Sequence, residues 1–371
     1  MAHIMIVGTN MMSIYNHRLE LIKQLLSLKH SVSVATPFSG EEQNLINMGV
    51  NCIDVRLETR GKNPFHDLIL LKDLINIFKN ERPDVVLTFY TKTNIYGGLA
   101  ARICGIPYIE NITGVGSAIA NGGLMARLMM TLYSQAVRKA HIVFFQNTQN
   151  QSLFHSKNIR MKKVLLLPGS GVSLERFSLV PYPSSDNYNF LFISRVLKEK
   201  GIEEFVEAAR IIRKEYPQTT FHVIGPYDKE YAEYLMNAEE DGIVKVHGKI
   251  FNVGDFIRES HCTVFPSYYA EGMANVLLES AASGRPIITT NLPGCGETVD
   301  DGVTGYIVNP RDAYDVAEKI RKFISLSHKE KEAMGLAGRK KMERQFDRRI
   351  VVDAYIAEIN QILSDSPHPT T

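Results

Sequence analysis

Short apolar runs alternate with longer amphipathic segments along the first half of the chain, the pattern of repeated strand and helix units. The runs are apolar at consecutive positions, which predicts strands buried on both faces of a parallel sheet. The predicted strands are HIMIV at 3, SVSVA at 31, VNCID at 50, DVVLTF at 84, PYIE at 107, HIVFFQ at 141 and KVLLLP at 163. Helices are predicted between them, at 17–28, 65–80, 94–103, 123–139 and 149–157.

The same alternation starts again near residue 189, with NFLFIS, TTFHVIG, IVKVHG, CTVFPS, RPIITT and TGYIV. The segment between the two series, SLVPYPSSDNY at 178–188, has the Pro and Ser content of a linker. We therefore predict an α/β protein with two doubly wound, Rossmann-like lobes facing each other across a cleft. Residues 1–170 form the first lobe, 171–185 the linker and 186–349 the second lobe. We expect a final helix, at about 350–365, to pack back onto the first lobe.

Composition and charge narrow the class of protein. The chain of 371 residues is long enough for two domains, and its four cysteines show no C-x-x-C pair. No apolar run is long enough for a membrane-spanning helix, so we expect a cytoplasmic protein. Residues 1–170 hold 18 Lys and Arg against 10 Asp and Glu, whereas the remainder carries a net charge of −6. This basic first half favours contact with anionic lipid headgroups or a phosphorylated acceptor, with chance unevenness on a solvated face as the alternative.

Several sequence motifs are missing, and their absence excludes classes of enzyme. No G-x-G-x-x-G follows the first strand and no G-x-x-x-x-G-K-[ST] occurs, which argues against a standard NAD-binding lobe and a P-loop nucleotidase. The chain also lacks D-x-D. An enzyme acting on nucleotide sugars would then neutralise the diphosphate with side-chain cations and helix N-termini. We predict no metal site, no cofactor and no nucleic-acid partner.

Two cations stand where such a diphosphate would bind. Arg195 and Lys200 lie in SRVLKEKGI, beyond the carboxyl end of the strand NFLFIS and before a predicted helix. Ligands bind at this edge of open α/β sheets. An arginine fork and a mobile lysine could hold two phosphates and stabilise the charge that develops on them. An ordinary charged loop is the alternative.

A pair of carboxylates follows the strand CTVFPS. Glu271 and Glu279 are eight residues apart, with Gly272 and a predicted helix start between them. Gly272 lets the backbone approach a ligand, and the helix start would present the amides of residues 273–276, which are Met273, Ala274, Asn275 and Val276. The carboxylates can accept hydrogen bonds from sugar or ribose hydroxyls.

These residues resemble the E-x7-E motif of retaining glycosyltransferases of the GT-B fold, and the surrounding sequence is similar to glycosyltransferase family 4. SRVLKEKGI matches the diphosphate-binding segment of that family, and VIGPYD at 223, HGKI at 247 and PGCGETVDDGVTGYIV at 293 follow in the expected order. The resemblance implies transfer from a UDP-sugar with retention of configuration and without a required metal.

The resemblance also assigns donor-binding roles. It implies that Arg195 and Lys200 bind the diphosphate and that Glu279 binds the ribose. Glu271 would contact the donor sugar, either as a polar clamp or as a nucleophile in a double displacement. Gly225 would leave room for the nucleotide, Lys249 and Ile250 would lie near its base, and the amides of residues 273–276 would complete the phosphate site. No general base is assigned.

Two segments of the first lobe resemble the family members that extend lipid-diphosphate-linked saccharides. In SIYNHRLEL, Asn16 and Arg18 match the subgroup, while His17 stands where Phe is usual. ENITGVGSAI carries Thr113, Gly114 and Gly116 and resembles the T-G-L-G loop. The resemblance implies that these six residues bind the acceptor.

The segment at 123–139 is rich in Met and Leu and also carries Arg127, Arg138 and Lys139. It could rest on a bilayer with its cations reaching phosphates, or it could be a core helix. We thus expect a peripheral membrane enzyme that transfers an N-acetylhexosamine to an undecaprenyl-diphosphate-linked saccharide in surface polysaccharide or glycan assembly. A nucleotide-sugar epimerase of the same fold and a noncatalytic sugar- or lipid-binding protein are the alternatives.

Overall fold

The computed structural model describes residues 1–57, 64–115, 119, 122–250, 252–269 and 271–365. The chain divides into two compact units. The first comprises Met1–Ser170 and the segment from Arg348 onwards, and the second comprises Gly171–Asp347.

The first unit is built on a parallel sheet with the strand order β3-β2-β1-β4-β5-β6-β7. Its strands are β1 His3–Val7, β2 Ser31–Thr36, β3 Asn51–Asp54, β4 Val85–Phe89, β5 Tyr108–Ile112, β6 Ile142–Phe145 and β7 Val164–Leu166. Its helices are α1 Met11–Ser27, α2 Glu42–Ile46, α3 Pro64–Glu81, α4 Thr91–Cys104, α5 Gly123–Val137, α6 Thr148–Ser156 and, at the C-terminal end, α13 Arg348–Asp365. Apolar clusters cover both faces of the sheet, as the continuous apolar runs predict.

Helix α13 belongs to the first unit through both apolar and polar contacts. Tyr355 is buried against Phe89 and Phe144, and its hydroxyl accepts a hydrogen bond from the Asn111 side chain at 2.6 Å. Arg348, the first residue of the helix, forms an ion pair with Glu20 on α1 at 2.7 Å. These contacts fix the end of the described chain against α1 and the sheet.

The second unit repeats the architecture with a parallel sheet ordered β10-β9-β8-β11-β12-β13. Its strands are β8 Asn189–Ile193, β9 Thr220–Ile224, β10 Lys245–Gly248, β11 Cys262–Phe265, β12 Ile287–Thr290 and β13 Gly305–Val308. Its helices are α7 Ile202–Glu215, α8 Lys229–Glu240, α9 Gly254–Glu259, α10 Asn275–Ala282, α11 Ala313–Ser325 and α12 His328–Lys341. Short 3-10 turns lie at Lys198–Lys200 and Gly296–Thr298, and a π-helical turn spans Met342–Phe346.

The segment predicted as a linker, 171–185, is instead part of the second unit. Phe177 and Tyr182 are buried in its core, and the Tyr182 hydroxyl donates to the carbonyl of His261 at 2.9 Å. The buried Arg285 guanidinium donates to the carbonyls of Val180 and Pro181 at 3.4 and 2.9 Å. The segment is therefore anchored to the second unit by two buried rings and by its main-chain carbonyls, and the second unit begins at Gly171 rather than at 186.

Two further differences from the sequence predictions concern the first unit. Helix α1 begins at Met11, six residues before the predicted start, because the Asn10 side chain caps it by accepting from the Ser13 amide at 3.1 Å. The five-residue helix α2 was not predicted, since it is too short to show a periodic pattern.

Candidate functional site

The second unit has one point at which its strand order reverses, between β8 and β11. In open α/β sheets, ligands bind outside the carboxyl ends of the strands at such a point. The β8 end leads into Arg195 and Lys200, and the β11 end leads into Glu271. The predicted donor-binding residues thus flank the same edge of one sheet.

The loop after β8 is held in an extended course against the loop after β9. The amides of Ser194 and Val196 donate to the carbonyls of Ile224 and Pro226 at 3.0 and 2.9 Å, and the Arg195 side chain between them is exposed. Gly225 has a φ of +144°, and a β-carbon there would lie 1.7 Å from the Ser194 carbonyl oxygen. Only glycine permits this approach of the two loops.

Lys200 ends the 3-10 turn after β8, and its side chain is buried. Its ammonium forms an ion pair with the Glu271 carboxylate and lies 4.5 Å from the centre of the Tyr269 ring. Gly201 follows with a φ of +80°, and a β-carbon there would lie 2.3 Å from the Pro266 carbonyl oxygen. The turn is therefore packed directly onto the loop after β11, which brings the predicted diphosphate cation and sugar carboxylate together.

A second glycine positions the segment that carries Glu271. Gly294 has a φ of +82°, and a β-carbon there would lie 2.7 Å from that of Glu271. Its carbonyl accepts a hydrogen bond from the Ala274 amide at 2.8 Å, so this amide, one of the four predicted to complete the phosphate site, is instead used inside the protein. The loop after β12 thus supports the start of α10, and the PGCGE sequence at 293 that was matched to the family performs this role.

Helix α10 presents polar side chains at the same edge. Asn275 and Glu279 are four residues apart on the helix, so they share one face. Both are half-buried, and the Asn275 Oδ1 atom has no hydrogen-bond partner among the described residues. Ala274 is the N-cap and provides no side-chain cap for the helix. The main-chain amides at such a helix start, together with its dipole, favour an anion.

The remaining predicted donor residues surround this edge. Lys249 and Ile250 follow β10; Lys249 is exposed, and Ile250 packs against the core of the unit. Gly272 and Met273 lie half-buried in the loop before α10, and Val276 is half-buried on the helix.

Burial, with a smaller contribution from the charge of Glu271, raises the pKa of Cys295 to about 12, so this thiol stays neutral.

The predicted acceptor residues lie in the first unit, on α1 after β1 and in the loop after β5, whose strand neighbours β4 at the reversal of strand order between β1 and β4. Asn16 and His17 are half-buried on α1, and the Asn16 carbonyl accepts from Arg348 at 3.0 Å. Arg18 is 3% exposed, and its guanidinium lies 4.2 Å from the centre of the Phe89 ring. Arg18 is thus packed under this edge, against the last residue of β4. Because its side chain is almost completely buried, it offers little surface to a ligand, and we assign it a supporting role.

The loop after β5 carries two of the other predicted acceptor residues. Thr113 and Gly114 are half-buried, and the Gly114 carbonyl accepts from the Thr91 hydroxyl at 3.3 Å. This bond joins the loop to the start of α4. Gly116 lies outside the described residues.

One polar cluster at the same edge was missed by the sequence reasoning. The Lys92 ammonium forms an ion pair with the Asp67 carboxylate at 2.8 Å, and the Tyr96 hydroxyl donates to the other Asp67 oxygen at 3.0 Å. Just before Lys92, Tyr90 has a φ of +74°, which a bulky residue rarely adopts. The sequence could have indicated Lys92, because it lies three residues after the end of a predicted strand, where ligands bind in such sheets.

The described part of the chain contains no group of three or more His, Cys, Asp or Glu side chains placed to hold a metal ion. Nor does any helix there combine the length and apolarity needed to cross a bilayer.

Comparison with known proteins identifies the class of protein. Residues 176–341 match the family described as glycosyl transferases group 1, and residues 7–147 match the family described as glycosyl transferase 4-like. The two matches fall in the two units described above. The protein is a glycosyltransferase of the two-lobed GT-B fold, with a group 1 domain in its second unit and a 4-like domain in its first.

Individual relatives cover nearly the whole chain. The chain is 26% identical to the N,N'-diacetylbacillosaminyl-diphospho-undecaprenol alpha-1,3-N-acetylgalactosaminyltransferase of Campylobacter jejuni, over 95% of this chain and 97% of the relative. It is 27% identical to the capsular polysaccharide biosynthesis glycosyltransferase CapM of Staphylococcus aureus, over 81% and 83%. A glycosyltransferase structure from Rickettsia africae superposes with a TM-score of 0.81 at 18% identity, covering 98% of this chain and 100% of that one.

Proposed function

We propose that this glycosyltransferase moves an N-acetylhexosamine from a UDP-sugar to a lipid-diphosphate-linked saccharide, with retention of configuration and without a metal. The ion pair between Lys200 and Glu271, with the exposed Arg195 five residues before Lys200 in the segment after β8, is the observation that carries the proposal. It supports a donor site with cations for the diphosphate next to a carboxylate for the sugar.

The donor diphosphate would bind Arg195, Lys200 and the main-chain amides at the start of α10. The arginine fork binds phosphate oxygens in a fixed geometry, and the buried lysine adds charge where little water screens it. Glu279 would bind the ribose hydroxyls, Gly225 would leave room for the nucleotide, and Lys249 and Ile250 would lie near the base.

Transfer would break the bond from the anomeric carbon to the diphosphate oxygen and form a bond from the same carbon to the acceptor hydroxyl oxygen. The hydroxyl proton would pass to the departing phosphate oxygen on the same face of the sugar. Arg195 and Lys200 stabilise the negative charge that develops on the leaving UDP. Glu271 would contact the donor sugar and stabilise positive charge at the anomeric carbon. This scheme requires no protein base.

The donor sugar and the acceptor are assigned from the relatives. The C. jejuni relative, aligned over almost the full chain, is named for N-acetylgalactosaminyl transfer to a diphospho-undecaprenol saccharide. The S. aureus relative is named for capsular polysaccharide biosynthesis. We assign the acceptor contacts to Asn16, His17, Thr113 and Gly114, and leave Arg18 a supporting role; for Gly116 the acceptor role stays a prediction from the resemblance.

A lipid-linked acceptor requires access to a membrane, and the first unit has a suitable surface. Leu124, Met125 and Leu128 are exposed near the start of α5, and Leu124 is 84% exposed. Residues 123–139 include three basic side chains and no acidic one. Such a helix can lie in the headgroup region with its cations on lipid phosphates. We propose that this surface holds the enzyme at the inner face of the cytoplasmic membrane.

Binding of UDP tests the donor site. Isothermal titration in EDTA should show binding of UDP to the wild-type protein, with weaker binding of GDP and ADP. Lys200→Met should weaken UDP binding at least tenfold. Binding of UDP that depends on a divalent metal, or that is unchanged in Lys200→Met, would overturn the assignment of this site.

A further inference from the structure

A cation lies at the acceptor edge of the first unit that the proposed function does not use. Lys92 is the second residue of α4, three residues beyond the end of β4. Its ion pair with Asp67 joins the starts of α4 and α3, and the Tyr96 hydroxyl holds the second Asp67 oxygen. The side chains of Lys92 and Asp67 are 14% and 16% exposed. The ammonium is thus fixed in place, and its side chain is mostly but not completely covered.

The surroundings of Lys92 are polar on one side. Strand β4 borders the reversal of strand order, where ligands bind in sheets of this kind. Thr91, the neighbour of Lys92, donates to the carbonyl of Gly114 in the loop that carries Thr113. Lys92 is therefore the chain neighbour of a residue that is hydrogen-bonded to the loop assigned to the acceptor sugar.

The surroundings are apolar on the other side. Phe65, Leu68 and Ile69 lie within two residues of Asp67 on α3, and all three are exposed, Phe65 to 73%. Exposed aromatic and aliphatic side chains clustered on one helical turn are typical of contact with a lipid or a protein. Asp67 turns inward to Lys92 from the same turn of the helix, so the apolar cluster and the fixed cation are neighbours.

We propose that Lys92 binds the diphosphate of the lipid-linked acceptor and that Asp67 and Tyr96 position it. The order along the protein, from the apolar cluster at Phe65, Leu68 and Ile69 through Lys92 to Thr113, matches the order of a prenyl chain, diphosphate and sugar. An ammonium can bind several oxygens, so a phosphate can join Asp67 at Lys92. This inference rests on the proposed function, because it takes its ligand from the proposed acceptor.

The alternative is a purely structural ion pair between α3 and α4. The two roles differ in what they require of the acceptor. A diphosphate-binding lysine matters only when the acceptor carries a diphosphate, whereas a structural lysine would affect every acceptor equally.

The test compares two acceptors with the same sugar, one a short prenyl diphosphate saccharide and the other a neutral alkyl glycoside. Lys92→Gln should raise KM for the diphosphate acceptor at least tenfold and change KM for the glycoside less than twofold. Lys92→Arg, which keeps the charge, should recover most of the affinity. Lys79→Gln, at an exposed lysine in the last turn of α3, is the matched control and should change neither KM.

Asp67→Asn separates the two roles further, because it removes the ion pair but keeps the ammonium. We expect a smaller rise in KM for the diphosphate acceptor than in Lys92→Gln. If Lys92→Gln changes KM equally for both acceptors, or if Lys92→Gln and Asp67→Asn change KM for the diphosphate acceptor equally, the proposed role of Lys92 is overturned. The proposed function is unaffected by either result. A wild-type enzyme that does not use the diphosphate acceptor but uses the glycoside would overturn the proposed acceptor and, with it, this inference.

Discussion

The ammonium of Lys200 pairs with the carboxylate of Glu271, although 71 residues separate them in the chain. Both side chains are largely withdrawn from water, with exposures of 8% and 14%. Breaking such a pair by removing one partner leaves an uncompensated charge, whereas removing both charges does not. The pair therefore allows the structural and catalytic effects of each residue to be separated.

Lys200→Met should destabilise the second unit by about 3 kcal/mol, because Glu271 loses its partner. It should also lower kcat by about 100-fold or more, because the leaving diphosphate loses a cation. The double variant with Glu271→Gln should regain most of the stability but none of the activity. Urea unfolding and initial rates measure the two effects. Recovery of activity in the double variant would contradict a role of Lys200 in the reaction.

Gly225→Ala should abolish UDP binding, since its β-carbon would collide with the Ser194 carbonyl and displace the loop that bears Arg195. Gly242→Ala is the matched control: its φ is also positive, at +69°, but a β-carbon there meets nothing within 4 Å. The control should lose about 1 kcal/mol of stability and keep its UDP affinity. Titration calorimetry compares them. Equal affinities in the two variants would show that the approach at Gly225 does not shape the donor site.

Replacing Leu124 and Leu128 together by Glu should release the enzyme from vesicles that contain anionic lipid. Each substitution removes exposed apolar area and adds a charge that the lipid repels. Leu336→Glu, at an exposed but less open position on α12 of the second unit, should leave vesicle binding unchanged. Co-sedimentation with vesicles measures the difference. Undiminished binding of the double variant would contradict the assignment of α5 as the membrane surface.

A stacked histidine pair, His222 and His247, predicts how stability depends on pH. Burial, and then the charge of His247, lowers the pKa of His222 to about 4. The unfolded chain binds a proton below pH 6.5, while the folded chain excludes it until about pH 4. The stabilisation is therefore complete above pH 6.5 and is lost as the pH falls towards 4.

We expect a loss of about 1–2 kcal/mol between pH 7 and pH 4.5, after allowance for partial exposure of the ring. His222→Phe should flatten this dependence, whereas His155→Gln, at an exposed histidine on α6, should not. Urea unfolding at several pH values provides the comparison. An unchanged slope in His222→Phe would assign the acid sensitivity to other groups.

The sequence predicted the strands well because most of them are short apolar runs buried on both faces; the sheet-edge strands β3, β7 and β10 are more exposed. It also predicted that Arg195, Lys200 and Glu271 lie at one edge of the second sheet, since all three follow strand ends and parallel strands end at the same edge; their donor-binding roles stay a prediction. The pairing of Lys200 with Glu271 could not be predicted from the local sequence. It depends on the close approach of Gly201 to Pro266 and of Gly294 to Glu271, which brings the loops together. This contact is a product of the tertiary structure.

The two clearest differences between the sequence predictions and the structure concern the segment 171–185 and Arg18, and both arise from burial. The segment 171–185 looks like a linker because of its Pro and Ser content, and Arg18 was assigned to the acceptor because it matches the motif of the subgroup. In the folded protein, Arg285 binds the carbonyls of the first, and Phe89 covers the guanidinium of the second. The residue type shows which interactions a side chain can make, but the residue that it contacts in the core is determined by the tertiary structure.

The most direct test of the proposed function is transfer itself, followed by NMR of the product. The enzyme, in EDTA, is incubated with a panel of UDP-sugars and a synthetic prenyl diphosphate saccharide. We predict that a UDP-N-acetylhexosamine gives a product whose new linkage has the anomeric configuration of the donor. A product of inverted configuration, or transfer from a GDP- or ADP-sugar but from no UDP-sugar, would contradict the account.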